Sequence, residues 1–416
     1  MKATINGGTL HGKINAVPSK SNAHRAIICA ALSDRPTEIR LPFSNADIDT
    51  TIDCLKAMGA DIRRDMESLF VTPVSIIPAC AKLKCNESGS TLRFLLPVAA
   101  AILKKANFSG TGRLPERPIS ELQKAMEKNG VAFSGEHLPF SVSGGLKAGI
   151  YEVSGDVSSQ YVSGLLMALP LLSGDSKIVL TSPLKAKAYV DMTLDTLSKF
   201  GVVIEPTANG YFLSGGQVYH SPDTFNVEGD WSGAAFFLVA GAICGEVKVL
   251  NLSPNSKQGD KAIVDIIKYF GADVSVIENS VTVKAAPLRG CEVDVAATPD
   301  LFPILAVIAS RAEGKTVLYN ASTLRLKESD RIKSTAAMIN ALGGNAVEYS
   351  DRLEITGTKL TGGALDSFGD HRIAMSAAIA ASICERETVI SNAESVNKSY
   401  PSFFADFEAL GGKIMY

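Results

Sequence analysis

Six times along the chain, an amphipathic helix pattern runs into a glycine and then a β-branched or apolar stretch. The segments are CLKAMGADI near residue 54, LQKAMEKNGVAF near 122, TLDTLSKFGVVI near 193, AIVDIIKYFGADVSV near 262, AAMINALGGNAVEY near 336 and FADFEALGGKIMY near 404. Their glycines are Gly59, Gly130, Gly201, Gly271, Gly343 and Gly411, spaced 71, 71, 70, 72 and 68 residues apart. A glycine just past the last helical turn supplies the left-handed backbone that a helix stop needs. A second series interleaves with the first. Helices apolar on nearly every side are predicted from about Ser21, Gly89, Ser158, Trp231, Pro299 and Asp370, spaced 68, 69, 73, 68 and 71 residues apart. A helix without a polar face is expected at the centre of a fold, whereas the striped helices should turn one face to water. Alternating stretches such as KIVLTS and EVKVLNLS read as strands between them. Each unit of about 70 residues is small for an independent domain, so pooling apolar helices into larger cores is the economical arrangement.

Composition narrows the function classes. The 416 residues include 41 Lys plus Arg against 43 Asp plus Glu, a net charge of −2. That balance excludes a general nucleic-acid or membrane-surface binder, which needs a basic excess. The seven cysteines form no CxxC pair and the five histidines (His11, His24, His137, His220 and His371) are scattered, so neither a disulfide framework nor a metal cluster is indicated. No uninterrupted apolar run reaches 18 residues, and MKATINGGTLHGKI lacks a signal-type apolar core. These features predict a cytoplasmic protein of a reducing compartment.

The openings of the apolar helices carry the chemistry. They read SKSNAHR, ESGSTLR, SSQ, GDWSG, TPD and GDHR, and three bring a basic residue into the first turns: Arg25, Arg93 and Arg372. A helix N-terminus offers free N–H groups and partial positive charge, so several of them on one cleft would form a polyanion site in a neutral chain. Taken singly, each opening reads equally as an ordinary cap or turn. Arg113-Leu114-Pro115-Glu116-Arg117-Pro118 restricts an arginine between a carboxylate and a proline. Arg325-Leu326-Lys327-Glu328-Ser329-Asp330-Arg331 packs five ionisable groups ahead of a helix, either a solvated face or a site. Asp300, in Thr298-Pro299-Asp300, is a lone carboxylate at an apolar helix start. Glu313-Gly314-Lys315-Thr316 only superficially matches a phosphate loop, because position 309 is Ala and the segment ends a helix.

Taken in order, PSKSNAHR, ESGSTLRF, RLPERPI, SSQY, TPD, RLKESDR, GDHRIAM and NKSYPSFF resemble the signature series of the 5-enolpyruvylshikimate-3-phosphate synthase family, from Pro18 to Phe404. The resemblance implies an α/β fold of two similar domains, each of three βαβαββ repeats around buried parallel helices, an inverse α/β barrel. One domain would comprise 1–18 and 229–416, the other 19–228, with the active site in the cleft between them. The implied reaction adds the 5-hydroxyl of shikimate 3-phosphate to C2 of phosphoenolpyruvate, protonates C3 and expels phosphate, with no cofactor or metal. By the same resemblance, Asp300, Glu328 and Lys20 are the acid–base groups. Shikimate 3-phosphate would meet Lys20, Ser21, Arg25, Ser158, Ser159, Gln160, Tyr189, Asp300 and Lys327. Phosphoenolpyruvate would meet Lys20, Gly89, Arg117, Gln160, Arg331, His371, Arg372 and Lys398. The expected partners are these small molecules alone, with no nucleic acid, no membrane and a monomeric chain. Glycine at position 89 further implies sensitivity to glyphosate.

Two positions depart from the family pattern. Ala186-Lys187-Ala188-Tyr189 stands where Ser-Lys/Arg-Pro-Tyr is common, which removes an expected serine contact to phosphate, and Thr323 stands where Asn is common. A related family, the UDP-N-acetylglucosamine enolpyruvyl transferases, carries a catalytic cysteine on a mobile loop. The corresponding GTGRLPERP has none, and Cys85 falls in an alternating KLKC stretch expected as strand. A non-catalytic repeat scaffold binding anions at helix N-termini would explain the basic clusters, but not Asp300 and Glu328 beside them.

Overall fold

A computed structural model describes residues 1–416. The chain folds into two compact units, Lys20–Val227 and a discontinuous unit of Met1–Ser19 with Glu228–Tyr416. The first holds α1 (Lys20–Ala31), α2 (Ala46–Ala57), α3 (Gly89–Ile102), α4 (Ser120–Glu127), α5 (Ser159–Ala168) and α6 (Lys187–Lys199). The second holds α7 (Trp231–Cys244), α8 (Ile263–Tyr269), α9 (Phe302–Arg311), α10 (Arg331–Ala341), α11 (His371–Ala381) and α12 (Phe403–Ala409). The odd-numbered helices are the apolar series. Every residue of α11 is buried, as is every residue of α9 except Arg311. Within the discontinuous unit α7, α9 and α11 pack on one another, and within the other α3 packs on α5. Each unit encloses its own hydrophobic core.

Each unit also holds three four-stranded sheets of one pattern. In the middle repeat of unit 20–227, Ala81–Lys84 crosses over through α3 to the parallel strand Lys105–Ser109. The chain then passes through α4 and closes with the antiparallel hairpin Ala132–Phe133 and Phe140–Ser143. A parallel neighbour needs such a crossover, and a helix provides it while covering the sheet. The βαβαββ repeat, three to a unit, is therefore borne out. The repeats at the chain crossings borrow a strand. Thr224–Asn226 pairs in parallel with Thr37–Arg40, which closes unit 20–227 on itself. His11–Asn15 pairs in parallel with Glu246–Leu250, and Lys2–Asn6 inserts between Thr388–Ser391 and Lys413–Met415.

All six stop glycines have positive φ, from +75° at Gly201 to +107° at Gly59. Each ends its helix in the same paired bond. After α2, the Gly59 N–H reaches the Lys56 carbonyl at 3.0 Å and the Ala60 N–H reaches that of Leu55 at 3.1 Å. After α10, the Gly343 N–H reaches Asn340 at 3.0 Å and the Gly344 N–H reaches Ile339 at 2.9 Å. This Schellman closure satisfies carbonyls that the helix end would otherwise leave without donors. One helix start differs from expectation. The pattern predicts a helix from Pro299, but α9 begins at Phe302, because Thr298–Leu301 first closes a turn (Leu301 N–H to Thr298 O, 3.0 Å). Asp300 thus lies on the turn and not in the helix.

Candidate functional site

In the discontinuous unit a buried arginine organises the charges. Arg331, the first residue of α10, is 1% exposed and touches three carboxylates. Its Nη1 donates to Asp300 Oδ1 at 2.9 Å, its Nη2 to Glu328 Oε2 at 2.7 Å and its Nε to Asp370 Oδ2 at 3.0 Å. Asp370 is fully buried at the N-cap of α11, where Oδ1 accepts the Arg372 backbone N–H at 3.0 Å and Oδ2 accepts Ser329 Oγ at 3.0 Å. Such a multiply bonded buried carboxylate fixes the rotamer of the arginine it holds. The three carboxylates raise the Arg331 pKa despite its burial, so its charge is permanent.

Asp300 is the meeting point. Besides Arg331 it accepts Arg372 Nη2 at 2.7 Å, and Lys327 Nζ stands 3.9 Å away. Burial alone would push its pKa up. The charges of Arg372, Lys327 and Arg331 outweigh that and hold it far below the usual carboxylate range. Asp300, Glu328 and Lys327 nevertheless keep side-chain exposures of 21%, 13% and 27%, whereas Arg331 and Asp370 are sealed. These three are the most exposed members of the cluster. His371 opens α11 with Nδ1 3.7 Å from Asp370 Oδ1. Lys398, itself buried, ends the 3-10 turn Ala393–Lys398, which packs against α11.

Unit 20–227 gathers a second set on three helix openings. Lys20, the first residue of α1, pairs with Asp47 of α2 at 3.0 Å. Arg25 is 2% exposed and lies over the Phe94 ring at 4.9 Å. Its Nε donates to Thr193 Oγ1 (2.7 Å), Nη1 to the Ser21 carbonyl (2.6 Å) and Nη2 to the Tyr189 carbonyl (2.8 Å). It therefore clamps the segment that carries Tyr189 to α1, and burial lowers its pKa to about 10, leaving it charged at neutral pH. At the α3 opening, Ser88 caps the helix and Gly89 is its first residue. A Cβ on Gly89 would stand 2.6 Å from Arg93 Nη1 and 2.9 Å from Arg117 Nη1, so the absent side chain is what lets two guanidinium groups approach the helix end. Gln160, in the first turn of α5, accepts Arg93 Nη1 at 3.1 Å and donates to Ser90 Oγ at 2.9 Å. Ser158 is the α5 N-cap and Ser159 its first residue.

The sequence-predicted residues thus fall into two sets, one per unit. Asp300, Lys327, Glu328, Arg331 and Arg372 form one bonded cluster. Gly89, Arg117 and Gln160 assemble around Arg93, and Lys20, Ser21, Arg25 and Tyr189 around α1. Three partners escape sequence reasoning. Asp47 lies 27 residues from the lysine it holds, Asp370 reads only as a cap, and Arg93 reads only as a charge near a helix start. Cys85 is the residue just after its strand and is fully buried. A hydrogen bond with Cys54 and burial push its thiol pKa well up, so it is no nucleophile.

The fold and these helix-opening charges define an enolpyruvyl transferase. The chain superimposes along its full length on an EPSP synthase structure from Acinetobacter baumannii, with a TM-score of 0.84, 27% identity and all of both chains covered. The enolpyruvyl transferase NikO from Streptomyces tendae shares the fold, with a TM-score of 0.80 at 18% identity over 100% of this chain and 98% of that one. The family model described as EPSP synthase (3-phosphoshikimate 1-carboxyvinyltransferase) matches residues 5–407, and the chain belongs to that family. Among its relatives, the 3-phosphoshikimate 1-carboxyvinyltransferase of Clostridium kluyveri is 42% identical over 99% of this chain and 97% of its own length. The one from Clostridium novyi is also 42% identical, over 97% and 96%.

Proposed function

We infer that the protein transfers the enolpyruvyl group of phosphoenolpyruvate to the 5-hydroxyl of shikimate 3-phosphate and releases phosphate. The observation that carries the chemistry is Asp300, an ionised and partly exposed carboxylate held by Arg372, Arg331 and Lys327. A carboxylate so surrounded is a weak base by itself. Anionic substrates that draw Arg372 and Lys327 onto their own phosphate and carboxylate groups remove positive charge from Asp300 and raise its proton affinity. The base is therefore switched on by the substrates it serves.

In the addition step the 5-oxygen attacks C2, its proton passes to Asp300 and C3 gains a proton. In the elimination step C3 loses a proton, the C2–O bond to phosphate breaks, and the carbon–carbon double bond re-forms. Glu328 and Lys20 are assigned to the proton transfers at C3. Shikimate 3-phosphate is assigned to Lys20, Ser21, Arg25, Ser158, Ser159, Gln160, Tyr189, Asp300 and Lys327, and phosphoenolpyruvate to Lys20, Gly89, Arg117, Gln160, Arg331, His371, Arg372 and Lys398. Arg331 and Arg25, whose donors already hold protein oxygens, act chiefly by orienting their neighbours. Proximity of two bound anions and exclusion of water supply much of the acceleration. No helix is long and apolar enough to cross a membrane. The proposal includes a monomer working in the cytoplasm, a glyphosate-sensitive site and no bound metal or nucleic acid.

Phosphate release from phosphoenolpyruvate, measured in EDTA with shikimate 3-phosphate or UDP-N-acetylglucosamine as acceptor, tests this. Release with the first acceptor only is expected. Release with the second only, or with neither, would reject the assignment.

A further inference from the structure

One face of α2 is polar although it is buried. Asp47, Thr50, Thr51 and Cys54 stand at i, i+3, i+4 and i+7, and none is more than 5% exposed. A helix packed into a core usually places apolar side chains at that spacing, so these polar groups need partners inside the unit. Asp47 takes Lys20 Nζ at 3.0 Å, at the opening of α1. One turn further along both helices, Thr51 Oγ1 lies 2.7 Å from His24 Nδ1 of α1, and also 2.7 Å from Thr91 Oγ1 of α3. Thr91 in turn donates its hydroxyl (2.8 Å) and its backbone N–H (3.3 Å) to Ser88 Oγ, the cap of α3. Thr50 donates to the Ala46 carbonyl at 2.7 Å and accepts Asn86 Nδ2 at 3.0 Å. Asn86, with φ of +47°, is a left-handed residue in the turn that leads to Gly89. Cys54 Sγ reaches the Lys84 carbonyl at 3.5 Å, at the end of the strand before that turn.

Protons along this chain run one way. Thr91 gives its single hydroxyl proton to Ser88, so Thr51 donates to Thr91 and accepts from the His24 Nδ1–H. All four residues are fully buried. Burial lowers the His24 pKa to about 3, with the Lys20 and Arg25 charges adding to that and Asp47 opposing it, so the imidazole is the neutral donor the chain needs. Resting on the functional reading above, we propose that Thr50 and Thr51 are positioning residues of the phosphoenolpyruvate site: they fix the α3 opening that carries Gly89 in register with the Lys20 opening of α1, one face of α2 holding both. Lys20 and Gly89 are both assigned to phosphoenolpyruvate, and an anion held by donors from two helices binds best when their spacing is set before it arrives. Removing the Thr51 hydroxyl orphans the His24 Nδ1–H and takes a donor from Thr91. Buried groups left this way recover partners by shifting, which moves α1 against α3.

The test measures phosphate release at saturating shikimate 3-phosphate for wild type, Thr51→Val and Thr51→Ser. The first variant keeps the shape and removes the hydroxyl, whereas the second keeps the hydroxyl and removes a buried methyl. Both should lower the melting temperature. The expected result is a KM for phosphoenolpyruvate about tenfold higher in Thr51→Val with kcat within about threefold of wild type, and a KM within about threefold of wild type in Thr51→Ser. A merely structural threonine would make KM follow the melting temperature in both variants and not the hydroxyl. An unchanged KM in Thr51→Val, or an equal rise in both, overturns the proposal. If Thr51→Val does not fold, Thr50→Val and Thr50→Ser, which remove or keep the acceptor for Asn86, replace the pair with the same outcomes. A wild-type protein releasing no phosphate would instead reject the functional reading, and this proposal with it.

Discussion

Glu328 and Asp300 share Arg331 but differ in company: Asp300 also meets Arg372 and Lys327, whereas Glu328 takes the Arg331 Nη2 at 2.7 Å. Glu328→Gln keeps the acceptor for Arg331 and removes only the ionisable carboxyl. Its kcat should fall by at least about 100-fold with KM changed by less than about threefold, as steady-state phosphate release would register. An unchanged kcat would remove Glu328 from the mechanism. Gly89→Ala tests the cluster of unit 20–227. The added Cβ meets the side-chain ends of Arg93 and Arg117 and no backbone atom among its nearest neighbours. The fold should therefore tolerate it, with a melting temperature within about 2 °C of wild type, while the KM for phosphoenolpyruvate rises about tenfold or more. A lowered melting temperature with unchanged KM would contradict that account. The charged residues of this site were legible because helix openings seldom carry such clusters. Their holders were not: Asp47 and Asp370 are common acids in sequence, and what distinguishes them is burial against a partner from another element.

The helix-to-strand junction is the element that repeats, and its glycine was legible because a left-handed stop restricts residue type more than any strand does. Two of the six positions separate the causes of that restriction. At Gly411, φ is +95° and the nearest atom to an added Cβ is 3.5 Å away, so Gly411→Ala meets backbone strain alone and should cost about 1 kcal/mol. At Gly59, φ is +107° and the Ile76 carbonyl oxygen would lie well inside contact distance of the Cβ, so Gly59→Ala adds a collision with backbone and should cost at least about twice as much. Urea unfolding of the two variants measures both values, and equal costs would show that the close approach at Gly59 relaxes freely. Helix starts were less legible than stops. The run from Pro299 has helical composition throughout, and only the Thr298–Leu301 turn bond delays α9 to Phe302 and leaves Asp300 outside it.

Along the whole chain, the period of about 70 residues revealed six units, while the closing of each group of three depends on long-range strand pairing. Thr224–Asn226 is three residues long, yet through it the end of unit 20–227 joins its own first sheet. Lys2–Asn6 and His11–Asn15 do the same for the discontinuous unit. Pairing of this kind is a tertiary choice that local pattern does not encode. The function proposed for this chain is addition followed by elimination at phosphoenolpyruvate, with C3 protonated and deprotonated on the way. Running the reaction in D2O with both substrates, and following it by phosphorus and proton NMR, tests that claim most directly. One free phosphate per enolpyruvyl product is expected, with deuterium appearing in the vinyl CH2 group of that product. Phosphate release without any deuterium in a vinyl product, the outcome of simple phosphate-ester hydrolysis, would contradict it.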